Sequence, residues 1–98
     1  MAVHVVIKRK FRMNKPDELV PLMQEMNKLA RTQPGYIATN ILQSREDPDN
    51  FMVISTWETE DDWKAWFRNP ERRSFQNDID SLIGERTFYE VFDQVFQH

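Results

Sequence analysis

The sequence predicts an α+β fold of the ferredoxin-like kind, β-α-β-β-α-β, with a four-stranded antiparallel sheet carrying its helices on one face. Three observations carry this reading. Segments of strand and helix periodicity alternate in that order. A turn-dense stretch joins two neighbouring strands into a hairpin. The 98 residues hold no cysteine, only two glycines and no repeat or linker-like tract, so 1–98 reads as a single packed domain.

Residues 3–12 open the chain with β-branched residues, Val3, Val5, Ile7 and Phe11 on one parity and Val6 on the other, which defines the first strand. Asn14 then offers an N-cap, Pro16 and Asp17 stand in the first turn, and Leu19, Leu22, Met23, Met26, Leu29 and Ala30 recur at spacings of three and four. This is an amphipathic helix. Pro21 falls early in it, where a missing N–H costs less. Gln33-Pro34-Gly35 stops the helix, and Tyr36 to Gln43 forms the second strand. Ser44 to Asn50 is rich in turn formers and leads to a third strand over 51–57.

Thr59-Glu60-Asp61-Asp62 reads as a helix start, with carboxylates at the positive end of the helix dipole. Asn69-Pro70 breaks this short helix and begins another, in which Phe75, Ile79, Leu82 and Ile83 make the apolar face and Gly84 the stop. Arg86 to Phe96 forms the fourth strand, apolar on both parities. The second apolar parity set has no covering layer in one chain. A contiguous apolar sheet face is rare on a soluble monomer, so a two-fold homodimer packed sheet to sheet is expected.

Composition limits the chemistry. A hydrophobic fraction of 40% with 30% charged residues supports a core and argues against disorder. Zero cysteines exclude disulfides, thiolate catalysis and cysteine-held metals. A net charge of −3 argues against a nucleic-acid binder. No stretch approaches the length of a membrane span or a signal h-region, so a cytoplasmic protein with no membrane partner is expected. No Ser-His-Asp set, phosphate loop, dinucleotide fingerprint or zincin motif occurs. Glu46-Asp47-Pro48-Asp49 lacks the spacing of a calcium loop and is a hairpin turn.

Several residues stand out against plainer readings. Arg9 shares parity with an apolar row, so its charge needs a partner: an ion pair, a snorkelled position, or a ligand carboxylate or phenolate. Lys8 and Lys10 point to the opposite face. Trp57, Trp63, Trp66 and Phe67 cluster within eleven residues, and aromatics at helical spacing are more often core than ligand box. Arg68, Arg72 and Arg73 read as solvated surface charges.

The start of the first strand, Gln33-Pro34-Gly35-Tyr36, and the run Ser55-Thr56-Trp57-Glu58 followed by Asp62-Trp63-Lys64-Ala65-Trp66 together resemble the antibiotic biosynthesis monooxygenase domains. The resemblance spans nearly the whole chain and implies a dimeric α/β barrel. It also implies cofactor-independent oxygenation of a small aromatic or quinol-type compound. In that setting Trp66 would stand in the cleft between sheet and helices and Trp57 at its mouth. Tyr36 would complete an aromatic wall, while Arg9, Gln76 or Asn77 would polarise a substrate oxygen. No catalytic residue is assigned and no cofactor or metal is expected. The alternative is a dimeric protein that binds a hydrophobic metabolite without chemistry. A haem-degrading relative is disfavoured. That pattern has asparagine on the first strand and histidine about ten residues after the tryptophan, where this chain has Arg9 and Gln76. Glutamine is a poor haem-iron ligand, and the histidines are His4 and His98.

Overall fold

A computed structural model describes residues 2–10, 16–84 and 87–97. Strand β1 (Val3–Lys10) leads to helix α1 (Pro16–Ala30), strands β2 (Tyr36–Gln43) and β3 (Asn50–Trp57), helices α2 (Glu60–Phe67) and α3 (Pro70–Ile83), and strand β4 (Glu90–Asp93). The sheet order is β2-β3-β1-β4 with every pairing antiparallel, the α+β ferredoxin-like arrangement. The expected strand residues Phe11 and Arg12, the N-cap Asn14 and the second histidine, His98, lie outside the described residues.

Register fixes the two faces of the sheet. Val3, Val5, Ile7 and Arg9 stand opposite Trp57, Ser55, Val53 and Phe51, and this parity faces the helices. Val5 and Trp57 are fully buried there, joined by Ala30 of α1 and Trp66 of α2, while Ile79 of α3 packs with Leu22, Met23 and Met26 of α1. The opposite parity carries Val6, Met52, Ile54, Leu42 and Phe92. Among the described residues no helix covers that side, and Leu42 and Phe92 are exposed.

The helices end as their residues dictate. The Thr59 hydroxyl caps α2 by accepting from the Asp62 N–H, and Asn69 caps α3 by accepting from the N–H groups of Glu71 and Arg72. Gly84 ends α3 in the left-handed conformation. Gly35 also has positive φ (80°), and an added Cβ would fall 2.2 Å from Asp62 Oδ2. It therefore brings the turn before β2 hard against α2, and the N–H of Glu58, just after β3, donates to the Gly35 carbonyl at 2.8 Å.

Strand β4 is shorter than the 86–96 that alternation suggests. Asp93 pairs with Val3, the first residue of β1, so β1 offers no further partner to the described residues beyond it. At its other end, Thr87 and Tyr89 leave the sheet and bond to side chains of α3.

Candidate functional site

Between the helices and the inner face of the sheet lies a cavity of about 110 Å³. Its apolar part comes from Val5, Ile7 and Val53 on the strands and Met23, Met26 and Ile79 on the helices. Three tryptophans complete it. Trp57 and Trp66 stack with ring centroids 6.0 Å apart and planes inclined by 26°, and Trp63 lies on the neighbouring turn of α2. The sheet holds Trp57 in place, and its indole N–H donates to Ser55 Oγ at 3.2 Å.

A polar wall faces this aromatic one. Arg9 Nη1 donates to Asp80 Oδ1 at 3.2 Å. The same oxygen accepts from Gln76 Nε2 at 2.8 Å and from the Thr87 hydroxyl at 2.6 Å. The Tyr89 hydroxyl donates to Gln76 Oε1 at 3.0 Å and accepts from Arg72 Nη2. A directed hydrogen-bond chain thus runs from the Arg72 cation through Tyr89 and Gln76 to the Asp80 carboxylate. Arg72 is 4% exposed, and its guanidinium stands 4.8 Å from the Phe67 ring centre and 5.1 Å from that of Tyr89, a cation–π arrangement with both. Burial lowers the Arg72 pKa below the usual guanidinium range and raises the Tyr89 pKa from 10.0, because each charged form loses water it cannot replace.

Of the residues singled out in the sequence, Arg9, Trp57, Trp66 and Gln76 meet at this cavity. Arg9 satisfies the plainer expectation of an ion pair while also lining the space. Trp57 is fully buried in the cavity floor and not at a mouth. Tyr36 stands behind the site, edge-on to Trp57 at 5.5 Å, with its hydroxyl donating to Thr39 Oγ1 at 2.9 Å. It supports the wall without lining it. Asn77 is exposed on α3 and does not line the cavity, since it follows Gln76 by a single residue and so turns away from it. Trp63, expected in the core, is half-buried and lines the cavity, and Phe67 is exposed.

The expectation that Arg72 is a solvated surface charge is incorrect. Its guanidinium lies beneath Phe67 and Tyr89, and the cap at Asn69 turns it inward. Tyr89 and Asp80 also belong to the site, although the sequence does not mark them out. The spacing of Arg72, Gln76, Ile79 and Ile83 along one helical stripe is the signal that places the arginine on the buried face.

Among the described residues no group of three or more His, Asp or Glu could hold a metal ion. His4 is on the outer sheet face, bonded to Thr56 Oγ1 at 3.0 Å. Gln76, at the position where the haem-degrading pattern has histidine, has its amide engaged by Asp80, Thr87 and Tyr89, which does not fit an axial haem ligand. No helix among the described residues is long and apolar enough to cross a membrane.

Comparison with known proteins agrees with the fold. The protein SchA of Streptomyces halstedii is 28% identical over 81 residues, covering 83% of this chain and 21% of its own length. The chain therefore spans about a fifth of that curated relative. SnoaB, described as a cofactor-independent oxygenase from Streptomyces nogalater, superposes with a TM-score of 0.86 at 16% identity, over 98% of this chain and 95% of its own. A conserved protein from Methanosarcina mazei gives 0.85 at 17% identity, over 94% and 91%. At such identities the structures establish the shared fold. The sequence profile of the antibiotic biosynthesis monooxygenases matches residues 2–78, and the chain belongs to that family.

Proposed function

We propose that this protein is a cofactor-independent monooxygenase of a small electron-rich aromatic or quinol-type compound. The observation that carries the proposal is the cavity with a tryptophan stack on one side and the chain of hydrogen bonds from Arg72 to Asp80 on the other. A planar ring against Trp66 would direct its oxygen substituents toward Arg72, Tyr89 and Gln76. SnoaB supports the reaction class as a relative in fold.

The reaction balances without an added reductant. A quinol and dioxygen give a hydroxyquinone and water. One oxygen atom forms the new C–O bond, the other leaves as water, and the quinol supplies all four electrons. The protein's part is to bind the ring, exclude water and stabilise negative charge on the ring oxygen through fixed donors.

We also infer that the working unit is a pair of chains joined through the outer sheet face, whose apolar row of Val6, Ile54, Met52, Leu42 and Phe92 no helix among the described residues covers. The second reading, a binding protein without chemistry, is favoured by one observation: the cavity lining among the described residues holds no carboxylate and no imidazole to serve as a base. An oxygen electrode separates the two. Uptake on addition of a quinol, lost in Trp66→Ala, supports the oxygenase. Tight binding of quinols with no uptake supports the binder.

A further inference from the structure

We propose that the cavity contains a second polar subsite, formed by Asn27, Thr39 and Ser55, which selects aromatic ligands carrying a neutral hydrogen-bond acceptor, a carbonyl oxygen, at the edge remote from Arg9. The subsite presupposes the aromatic ligand proposed above for the same cavity and names the group that specifies it.

The sheet register brings the three together. Thr39 of β2 stands opposite Ser55 of β3, and Ser55 stands opposite Val5 of β1, on the parity that faces the helices. Side chains paired in this way lie within about 5.5 Å of each other at Cβ. Asn27 of α1 joins them from the helical side, because the Tyr36 hydroxyl donates to Thr39 Oγ1 at 2.9 Å and lies 3.5 Å from Asn27 Oδ1. Asn27, Thr39 and Ser55 all line the cavity.

Each of the three keeps a donor that has no acceptor among the described residues. The indole N–H of buried Trp57 can only donate, and it donates to Ser55 Oγ at 3.2 Å. Ser55 is thereby fixed as the acceptor, and its own O–H is left over. Thr39 stands in the same relation to the Tyr36 hydroxyl, and the Asn27 amide meets Tyr36 through its oxygen, which leaves its N–H groups over. None of the three side chains is charged. Leftover donors of this kind suit a neutral oxygen with two lone pairs, and a carbonyl brings no proton of its own to compete with theirs. Register also decides which edge of the ligand they read. The Ser55 row and the Arg9 row are separated along β1 and β3 by the row of Ile7 and Val53. Four residues of strand at about 3.3 Å each set them about 13 Å apart. A ring lying over Ile7 and Val53 has the Arg9–Asp80 pair beyond one edge and the three donors beyond the other.

The test uses the whole chain at neutral pH with two phenols of one shape, para-hydroxyacetophenone and para-isopropylphenol, which differ by a carbonyl oxygen in place of a methyl group. A cavity that is merely apolar at this end favours the isopropyl compound, which water solvates less well. The subsite reverses that order, and the ketone should bind at least about fivefold tighter, as two or three neutral hydrogen bonds require. Asn27→Leu and Thr39→Val, each close in size to the residue replaced, should shrink the preference while isopropylphenol binding holds or tightens. Ser55 is left in place because it holds Trp57. The infrared carbonyl stretch of carbon-13-labelled ketone should lie at lower frequency in the unaltered protein than in Asn27→Leu, a difference that altered packing alone would not produce. Equal or weaker binding of the ketone by the unaltered protein, a preference or a stretch unchanged in the variants, or failure of both compounds to bind at millimolar concentration overturns the proposal. The comparison of the two phenols on the unaltered protein decides the question even where a variant does not fold. Neither compound has to be oxidised. Selection of the ketone without quinol-dependent oxygen uptake would retain the subsite and refute the oxygenase, and uptake without selection would do the reverse.

Discussion

Arg9 of β1 and Asp80 of α3 meet at 3.2 Å, joining the sheet to the helical layer beside the cavity. The arginine side chain is almost fully buried and the aspartate is about a quarter exposed (5% and 26%). A charge pair so placed holds the cavity wall in register more than it adds net stability, because desolvation offsets most of the attraction.

Removing one partner is therefore worse than having neither. Asp80→Ala leaves Arg9 buried beside Gln76 and Thr87 donors that have lost their common acceptor, and should cost about 3 kcal/mol. Arg9→Met, which leaves a partly exposed carboxylate with two donors, should cost less. Urea unfolding of the two variants checks the order.

Tyr89 makes stability depend on alkaline pH. Burial raises its pKa above 10.0, so the folded chain keeps its proton where the unfolded chain has lost it. The unfolded state then binds fewer protons, and stability falls as pH rises above about 10, the contribution being complete below that value. Unfolding curves from neutral to alkaline pH should show the advantage of the native protein over Tyr89→Phe shrinking above that point. An advantage that grows with pH contradicts the assignment.

The outer sheet face predicts the state of assembly. Phe92 and Leu42 are exposed on it, at 45% and 50%. Sedimentation should give twice the mass of one chain, and Phe92→Asp should give a folded monomer, because a charge there cannot be buried against an apolar partner. A native chain that sediments as a monomer at micromolar concentration removes the inferred pair.

Much of the fold was legible because local chemistry and tertiary role agree. Thr59, Asn69 and Gly84 mark helix ends in the sequence and do so in the structure. Trp57 and Trp66 were placed at the cavity by resemblance, and Arg9 by strand parity alone. The rest depends on contacts between distant segments. Tyr89 alternates like a strand residue, yet β1 pairs only from Val6 back to Val3, so the chain at 87–89 is released to bond with α3. Arg72 resembles its neighbours Arg68 and Arg73 in type, and only its helical stripe separates it from them. Asn77 adjoins Gln76 in the sequence, but one residue along a helix turns a side chain to another face.

Oxygenation without a cofactor, proposed for the cavity of Trp57, Trp66 and Arg72, is tested most directly by turnover of naphthohydroquinone by the purified protein under heavy-isotope dioxygen, with no flavin, metal or haem added. One labelled atom should enter the hydroxyquinone and one should enter water, at a rate above the buffer blank that Trp66→Ala, verified as folded, reduces to the blank. Unlabelled product, or uptake no faster than the blank while the quinol binds, contradicts it.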